Sequence, residues 1–274
     1  MKLVTILLPI TQHGTTEACA LAAFTLAERS GALLEVLHPC PAPAERLPYS
    51  TEPSPLYFEE LIDVGKKQVA LERRQARKWL GKVARSHPKA HAELLSVEGL
   101  VAPSVSMRAK VADLTVLPSV AEAEDGFWAS ARDAALFHSG RPVLVMPREW
   151  ENPIGETVVI AWKDAVEAVR AVVAAEPFFA KAKRIRLLSV TEGGEDETAA
   201  AMVDYLTKAG FRIELVKLVA EPREIGEVLL EAATGKGVLL VMGAYGHWRW
   251  QEWVFGGATD YVLGNTAVPV LMMH

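Results

Sequence analysis

The chain has 274 residues, half of them hydrophobic and 23% charged, which is the composition of a globular protein with a sizeable core. The net charge of −5 and the lack of a basic block argue against nucleic-acid binding. No run reaches the roughly 18 apolar residues of a membrane helix, and the short start MKLVTILLPI predicts a buried strand rather than a signal peptide. The two cysteines lack CxxC spacing, so we expect reduced thiols in a cytoplasmic protein.

Short runs rich in Val, Ile and Leu recur along the chain and predict strands of a parallel sheet covered on both faces. They occupy residues 3–10, 33–38, 114–118 and 141–147, and then 157–162, 184–190, 238–242 and 268–274. Predicted helices lie between them, among others at 17–31, 164–182 and 224–237. Strands that alternate with helices indicate βαβ units and an α/β fold.

Residues 39–58 carry six prolines, which cannot join a helix interior or a central strand. We therefore expect an excursion loop, which is either functional or merely tolerated. Residues 60–87 then predict a long amphipathic helix, with Trp79 and Leu80 on its packing face and its charges in solvent.

The two halves of the chain repeat one another. RPVLVMP ends the first half as VPVLMMH ends the second, and one shift in numbering places Pro142 on Pro269 and Asp133 on Asp260. The order of strands and helices also matches, which indicates a duplicated unit. We predict a first domain at 1–149 and a second at 154–274, separated by a polar stretch and paired through their final strands.

The second half contains a glycine-rich loop directly after a predicted strand. Gly243, Gly246 and Gly256 are separated by two and nine residues, and a short helix is predicted to begin near Gly257. In a parallel sheet, ligands bind beyond the carboxyl ends of the strands, and the start of a helix suits phosphate. Glycines let the backbone approach an anion closely, although they are equally compatible with a tight turn that only packs.

This spacing, followed by the ending PVLMMH, resembles the universal stress protein family, whose nucleotide-binding members carry G-x2-G-x9-G followed by Ser or Thr. The resemblance covers nearly the whole chain as two tandem domains, and the glycine motif lies only in the second. It implies two Rossmann-like domains, each with a five-stranded parallel sheet of order 3-2-1-4-5. It also implies candidate nucleotide-binding residues Gly243, Gly246, His247, Gly256, Gly257, Ala258, Thr259, Ala161, Trp162 and Lys163.

Two departures from the family pattern lie in the second half. Gly257 stands where nucleotide binders have a hydroxyl, and Lys163 stands where they have an aspartate, with Asp164 one residue further on. Lys163 is either a solvated residue at a strand end or a ligand contact that partly neutralises phosphate. We therefore expect ATP to bind weakly.

The first half departs further. Pro118 replaces the first glycine and lacks an N–H, while Ala129 aligns with Gly256 and carries a Cβ. We therefore expect at most one nucleotide site, in the second half. Thr11 and His13 could still line a small-ligand cleft in the first half.

Other chemistry finds little support in the sequence. His247 and His274 lack Cys or acidic partners at ligand spacing, so no metal site is predicted. No nucleophile elbow or HExxH motif occurs, so we expect no enzyme beyond slow nucleotide hydrolysis. We interpret Trp248, Trp250 and Trp253 as packing or interface residues.

Three functions are compatible with these patterns. The first is a stress-response protein that binds nucleotide weakly and acts through partners, with a homodimer possible. The second is a scaffold without nucleotide, in which both halves serve dimerisation and partner docking. The third, an enzyme on the same fold, is weakest because no acid, base and nucleophile can be assigned.

Overall fold

A computed structural model describes residues 2–42, 55–119, 126–191, 196–219, 225–245 and 257–274. The strands of the first half are β1 (Thr5–Pro9), β2 (Leu33–Cys40), β3 (His91–Glu98), β4 (Leu114–Pro118) and β5 (Val143–Met146). Those of the second are β6 (Thr157–Trp162), β7 (Arg184–Thr191), β8 (Ile213–Val219), β9 (Val238–Gly243) and β10 (Val270–Met273). The helices are α1 (Glu17–Ser30), α2 (Pro55–Ala84), α3 (Val101–Ala109), α4 (Gly126–His138), α5 (Val166–Ala174), α6 (Glu176–Phe179), α7 (Glu197–Lys208), α8 (Ile225–Ala232) and α9 (Gly257–Asn265).

All ten strands form one sheet, in the order β3-β2-β1-β4-β5-β10-β9-β6-β7-β8. Each half has the order 3-2-1-4-5 and parallel neighbours, which confirms the predicted fold class. The halves meet where β10 pairs with β5 in antiparallel direction, with Leu271 opposite Leu144. The duplicated strands therefore lie on either side of one central pairing.

Helices cover both faces of the sheet. Because parallel crossovers are right-handed, α1 and α2 lie on one face of the first half and α3 and α4 on the other, where those two pack together. The innermost strand residues, such as Ile6, Leu7 and Leu8, are fully buried on both faces. None of the helices in the described ranges combines the length and apolar character that a membrane span requires.

The predicted excursion loop was wrong at both ends. Pro39 lies in β2, opposite Val97 of β3. Leu37 O accepts from Ile10 N, so Leu37 directs its backbone groups toward β1. Pro39 lies two residues further on and faces the same side, but β1 has already ended there. The N–H that proline lacks is therefore not needed for the sheet. Pro55 opens α2, where the missing N–H costs no helical hydrogen bond.

Other differences from the sequence analysis have equally local causes. The runs of apolar residues did not reveal β3 and β8, because these outermost strands are only partly buried and alternate polar with apolar positions. The predicted helix at 164–182 is split into α5 and α6. Pro177 stands in the first turn of α6 and cannot supply the N–H that would continue α5.

Candidate functional site

The candidate nucleotide site lies where β6 and β9 run side by side. The two strands are parallel, with Ala161 opposite Met242, so both end at the same edge of the sheet. From β6 the chain crosses to β7, and from β9 it crosses the other way to β10. Such a reversal leaves a crevice beyond the strand ends, which is the usual ligand position in open α/β sheets.

Gly243, at the end of β9, has a packing role that the sequence did not reveal. A Cβ added there would lie 2.7 Å from Ala168 N and 2.8 Å from Glu167 C. Both atoms belong to the backbone of the first turn of α5, which cannot move away without shifting the helix. The first glycine of the motif is therefore needed for the strand to pass under α5, whether or not a ligand binds.

The three predicted site residues on the β6 side have different environments. Trp162 is buried, and its Nε1 donates to Thr198 Oγ1 over 3.0 Å, which anchors the indole to the start of α7. Ala161 is half-buried, and Lys163 is exposed. Of the three, Lys163 therefore has the most exposed side chain.

On the α9 side, two side chains tie the end of the β9 loop to the first turn of the helix. Thr259 is buried, and its Oγ1 accepts from Tyr245 N at 3.4 Å. Tyr245 has a left-handed backbone with φ of 54°, and its hydroxyl donates to Asp260 Oδ1 over 2.6 Å. Burial and then the Asp260 hydrogen bond raise the pKa of Tyr245, so the phenol stays protonated as the donor.

Gly257 opens α9 and is exposed, while Ala258 next to it is half-buried. Among the residues that the structure describes, none has a heavy atom within 4 Å of a Cβ added to Gly257. The described residues therefore leave space at the beginning of α9 for a larger residue or a ligand. Gly246, His247 and Gly256, together with the three loop tryptophans, lie outside the described residues.

In the first half, the end of β4 corresponds to the end of β9, and the residue that follows β4 contacts the second half. Ser119 follows Pro118, and its Oγ donates to Leu263 O of α9 over 2.5 Å. Ala129 and Ser130 lie within α4 and are half-buried. The strand end that lacks the first glycine is therefore occupied by a hydrogen bond to the other half.

An aromatic cluster joins the halves beside the second-half loop. The ring of Phe137 from α4 lies 5.0 Å from that of Tyr245 and 5.1 Å from that of His274, measured between ring centroids. His274 Nδ1 is 3.0 Å from Ala244 O. The end of β9 beside the candidate site is therefore in contact with the first half through Phe137.

In the first half, Thr11 and His13, the two residues that could line a small-ligand cleft, have different surroundings. Thr11 Oγ1 donates to Gly14 O over 3.1 Å and accepts from His13 N, so its hydroxyl closes a local turn. His13 lines a surface groove of about 480 Å³, together with Trp79 of α2 and three basic side chains of that helix and its end, Lys78, Lys82 and Arg85.

A second group of functional residue types was missed. His38 and Cys40 of β2 meet Glu72 of α2 in the interior of the first half. The signal available in the sequence was the alternation His-Pro-Cys at the end of a strand, which directs two ligand types to one face. Because Glu72 is far away along the chain, its position could not be inferred from spacing.

The comparisons with known proteins are structural. No family model and no curated protein matches the sequence. A universal stress protein from Archaeoglobus fulgidus aligns with a TM-score of 0.68 and 16% identity over 98% of this chain and 95% of its own. A protein from Pseudomonas aeruginosa UCBPP-PA14, described as a universal stress protein, aligns with a TM-score of 0.60 and 12% identity over 99% and 93%. At these identities the likeness shows a shared fold across both halves.

Proposed function

We propose that this protein is a tandem universal stress protein that acts by binding and regulation, with one weak adenine-nucleotide site in its second half. The observation that carries the proposal is the likeness over the whole chain to the Archaeoglobus fulgidus protein. The G-x2-G-x9-G spacing at the end of β9 supports a site there in particular. The two buried, unbridged cysteines are what a reducing compartment favours, which supports the cytoplasmic location that we propose.

The proposed ligand is ATP, bound beyond the ends of β6 and β9. The start of α9 offers backbone N–H groups and partial positive charge for phosphate, and no described residue fills the space beside Gly257. Lys163 is exposed at the end of β6 and adds a positive charge. The protein's action would then come from binding and partner contacts, with at most slow hydrolysis.

We expect the affinity to be low. Gly257 supplies no hydroxyl, and Lys163 replaces a carboxylate. A hydrogen bond to a charged group contributes about 1.5–3 kcal/mol, and each 1.4 kcal/mol changes affinity about tenfold. The missing contacts therefore weaken ATP binding by about one to three orders of magnitude, to tens of micromolar or poorer.

The test combines released nucleotide with calorimetry. Protein purified without added nucleotide is denatured, and the supernatant is analysed by chromatography and mass spectrometry. ATP is then titrated into the parent, Gly256→Val and Gly257→Ser proteins. We expect Gly256→Val to abolish binding, because a branched Cβ blocks the approach of the backbone, and Gly257→Ser to strengthen it.

Gly126→Ser is the matched control. Gly126 opens α4 as Gly257 opens α9, and here too no heavy atom of a described residue lies within 4 Å of an added Cβ. The control should leave ATP binding unchanged. Gly243 is unsuitable as a probe, because its replacement disturbs α5. If Gly256→Val binds ATP like the parent, the loop is not the site.

A scaffold without nucleotide is the second candidate. It is favoured by the packing roles of Gly243, Trp162 and Thr259, three predicted site residues whose atoms serve the fold. In that case no nucleotide is released on denaturation, and ATP at millimolar concentration produces no heat of binding in any variant. The function would then be to bind partner proteins or a second copy of this chain on the surface of the two halves.

A further inference from the structure

Three side chains of metal-ligand type meet inside the first half. His38 and Cys40 are two residues apart on β2, so both point to the face of the sheet covered by α2, and Glu72 comes from that helix. The exposed fractions of His38, Cys40 and Glu72 are 1%, 0% and 7%. The cluster is thus a buried group of one imidazole, one thiol and one carboxylate.

The distances between these groups are close to those of a metal site. One ligand atom from each residue lies within 4.8 Å of the other two. The Cys40 thiol donates to Glu72 Oε2 over 3.3 Å. In tetrahedral zinc sites, ligand atoms about 2.0–2.3 Å from the ion are about 3.3–3.8 Å apart. Side-chain rotations that move each atom by about 1 Å would therefore close the cluster around an ion.

Neighbouring side chains orient two of the three groups. His38 Nδ1 is 3.1 Å from Ser96 Oγ on β3, the residue opposite it in the sheet. Gln68 Nε2, one turn earlier on α2, donates to Glu72 Oε1 over 3.0 Å. Metal-bound imidazoles and carboxylates typically have such partners, which fix the ring and hold the free oxygen.

We propose that His38, Cys40 and Glu72 bind a zinc ion. A thiolate and an imidazole select zinc over magnesium and calcium, which prefer oxygen ligands. Binding replaces the thiol proton that Cys40 donates to Glu72, and this proton passes to solvent while sulfur binds the metal. Three protein ligands leave the fourth tetrahedral position to water or another donor.

The location gives the ion a structural role. Residue 40 ends β2, and α2 begins at Pro55, so the ligands come from the elements on either side of the intervening segment. A zinc ion would join the end of the strand to the middle of the helix, where Glu72 lies, and stabilise the first half. Since the ion binds only the folded chain, it should raise the melting temperature.

The test uses Zn²⁺ and Co²⁺ on the full chain after removal of bound metal with a chelator. We expect one Zn²⁺ per chain by elemental analysis, a rise in Tm with added Zn²⁺, and a thiolate-to-cobalt charge-transfer band with Co²⁺. Cys40→Ser should remove the band and the rise in Tm. Ser96→Ala, which removes the partner of the His38 ring, should weaken zinc binding by about 10- to 100-fold. Glu72→Gln, which replaces a charged ligand by a neutral one, should weaken it at least as much.

Cys19→Ser is the matched control, because Cys19 is the other cysteine and is equally buried. Burial raises the pKa of its thiol to about 12, opposed by hydrogen bonds from Thr16 and Thr15. This variant should keep the cobalt band and the rise in Tm. A parent protein that binds no zinc, or a cobalt band that survives Cys40→Ser, would overturn the proposal and leave the cluster as a hydrogen-bonded part of the core.

Discussion

At the scale of single residues, Gly243 is constrained by steric contact. Its replacement by Ala would place a Cβ 2.7 Å from Ala168 N in the first turn of α5. We expect Gly243→Ala to lower the free energy of unfolding by about 1–3 kcal/mol, as overpacking does. Urea denaturation measures this. Gly81→Ala is the control: this glycine lies within α2 with no atom near an added Cβ, so alanine should stabilise by roughly 0.5–1 kcal/mol. Equal effects of the two substitutions would contradict the steric argument.

Asp196, the N-cap of α7, is a second residue whose role can be tested. Its Oδ1 accepts from the backbone N–H groups of Thr198 and Ala199 at 3.1 Å, and Oδ2 accepts from Ser189 Oγ at 2.6 Å. Burial alone would raise the pKa of Asp196, but the hydrogen bonds from Ser189, Thr198 and the backbone outweigh it and lower the pKa. The folded protein therefore favours the charged carboxylate.

The pH dependence follows from that direction. The pKa of Asp196 in the folded protein lies below its unfolded value of about 3.9. The stability that the charged carboxylate adds is therefore complete above about pH 3.9, and it is lost as the pH falls through the folded pKa. We expect Asp196→Ala to cost about 1–2 kcal/mol at pH 7, with a smaller difference from the parent below about pH 4. The free energies of unfolding of the variant and the parent, measured by thermal or urea unfolding from about pH 3 to about pH 7, where carboxyl groups titrate, give this difference. Asp204→Ala, an exposed position on the same helix, should show neither effect.

At the scale of elements, β2 and α3 are joined by an ion pair. Arg108 Nε donates to Glu35 Oε1 over 2.6 Å, and Nη2 binds the other carboxylate oxygen. The hydrogen bond with Glu35, opposed by burial, raises the pKa of Arg108, so the guanidinium stays charged. The Glu35 side chain is 10% exposed and that of Arg108 is 32% exposed.

Removing the arginine should therefore leave a largely buried carboxylate without its cation. We expect Arg108→Ala to destabilise by about 3 kcal/mol, the lower end for breaking a buried pair, because Arg108 is partly solvated. Lys183→Ala removes an exposed pair with Glu156, joined over 3.0 Å, and should cost at most about 1 kcal/mol. Chemical denaturation of both variants provides the comparison, and a cost for Arg108→Ala no greater than that of the control would contradict the argument.

At the scale of the whole molecule, the sequence predicted what local patterns determine. The apolar runs and the repeat predicted the strands of both halves except β3 and β8, whose partly buried positions mix polar and apolar residues. Contacts between distant residues could not be predicted. Three such contacts depend on how the helices pack against the sheet. They are the approach of Gly243 to α5, the hydrogen bond from Trp162 to Thr198, and the contact of Glu72 with His38.

The central pairing of β5 and β10 is what makes one sheet from two halves. Pro269 O and Met273 O accept from β9, so the backbone groups of Val270 and Met272 face β5. In a fragment of residues 154–274, this apolar edge would have no partner. Such edges readily pair with another chain.

We therefore expect the 154–274 fragment to form a dimer through antiparallel pairing of two β10 strands around Leu271. Met272→Pro removes an N–H only on the side of β5, and proline is tolerated on an edge strand. This variant of the fragment should be a folded monomer. Leu271→Pro instead removes a group that faces β9 and should unfold the end of the sheet. Light scattering after size-exclusion chromatography gives the masses, and circular dichroism the folded content. A parent fragment that is folded and monomeric would show that the β10 edge is protected in some other way.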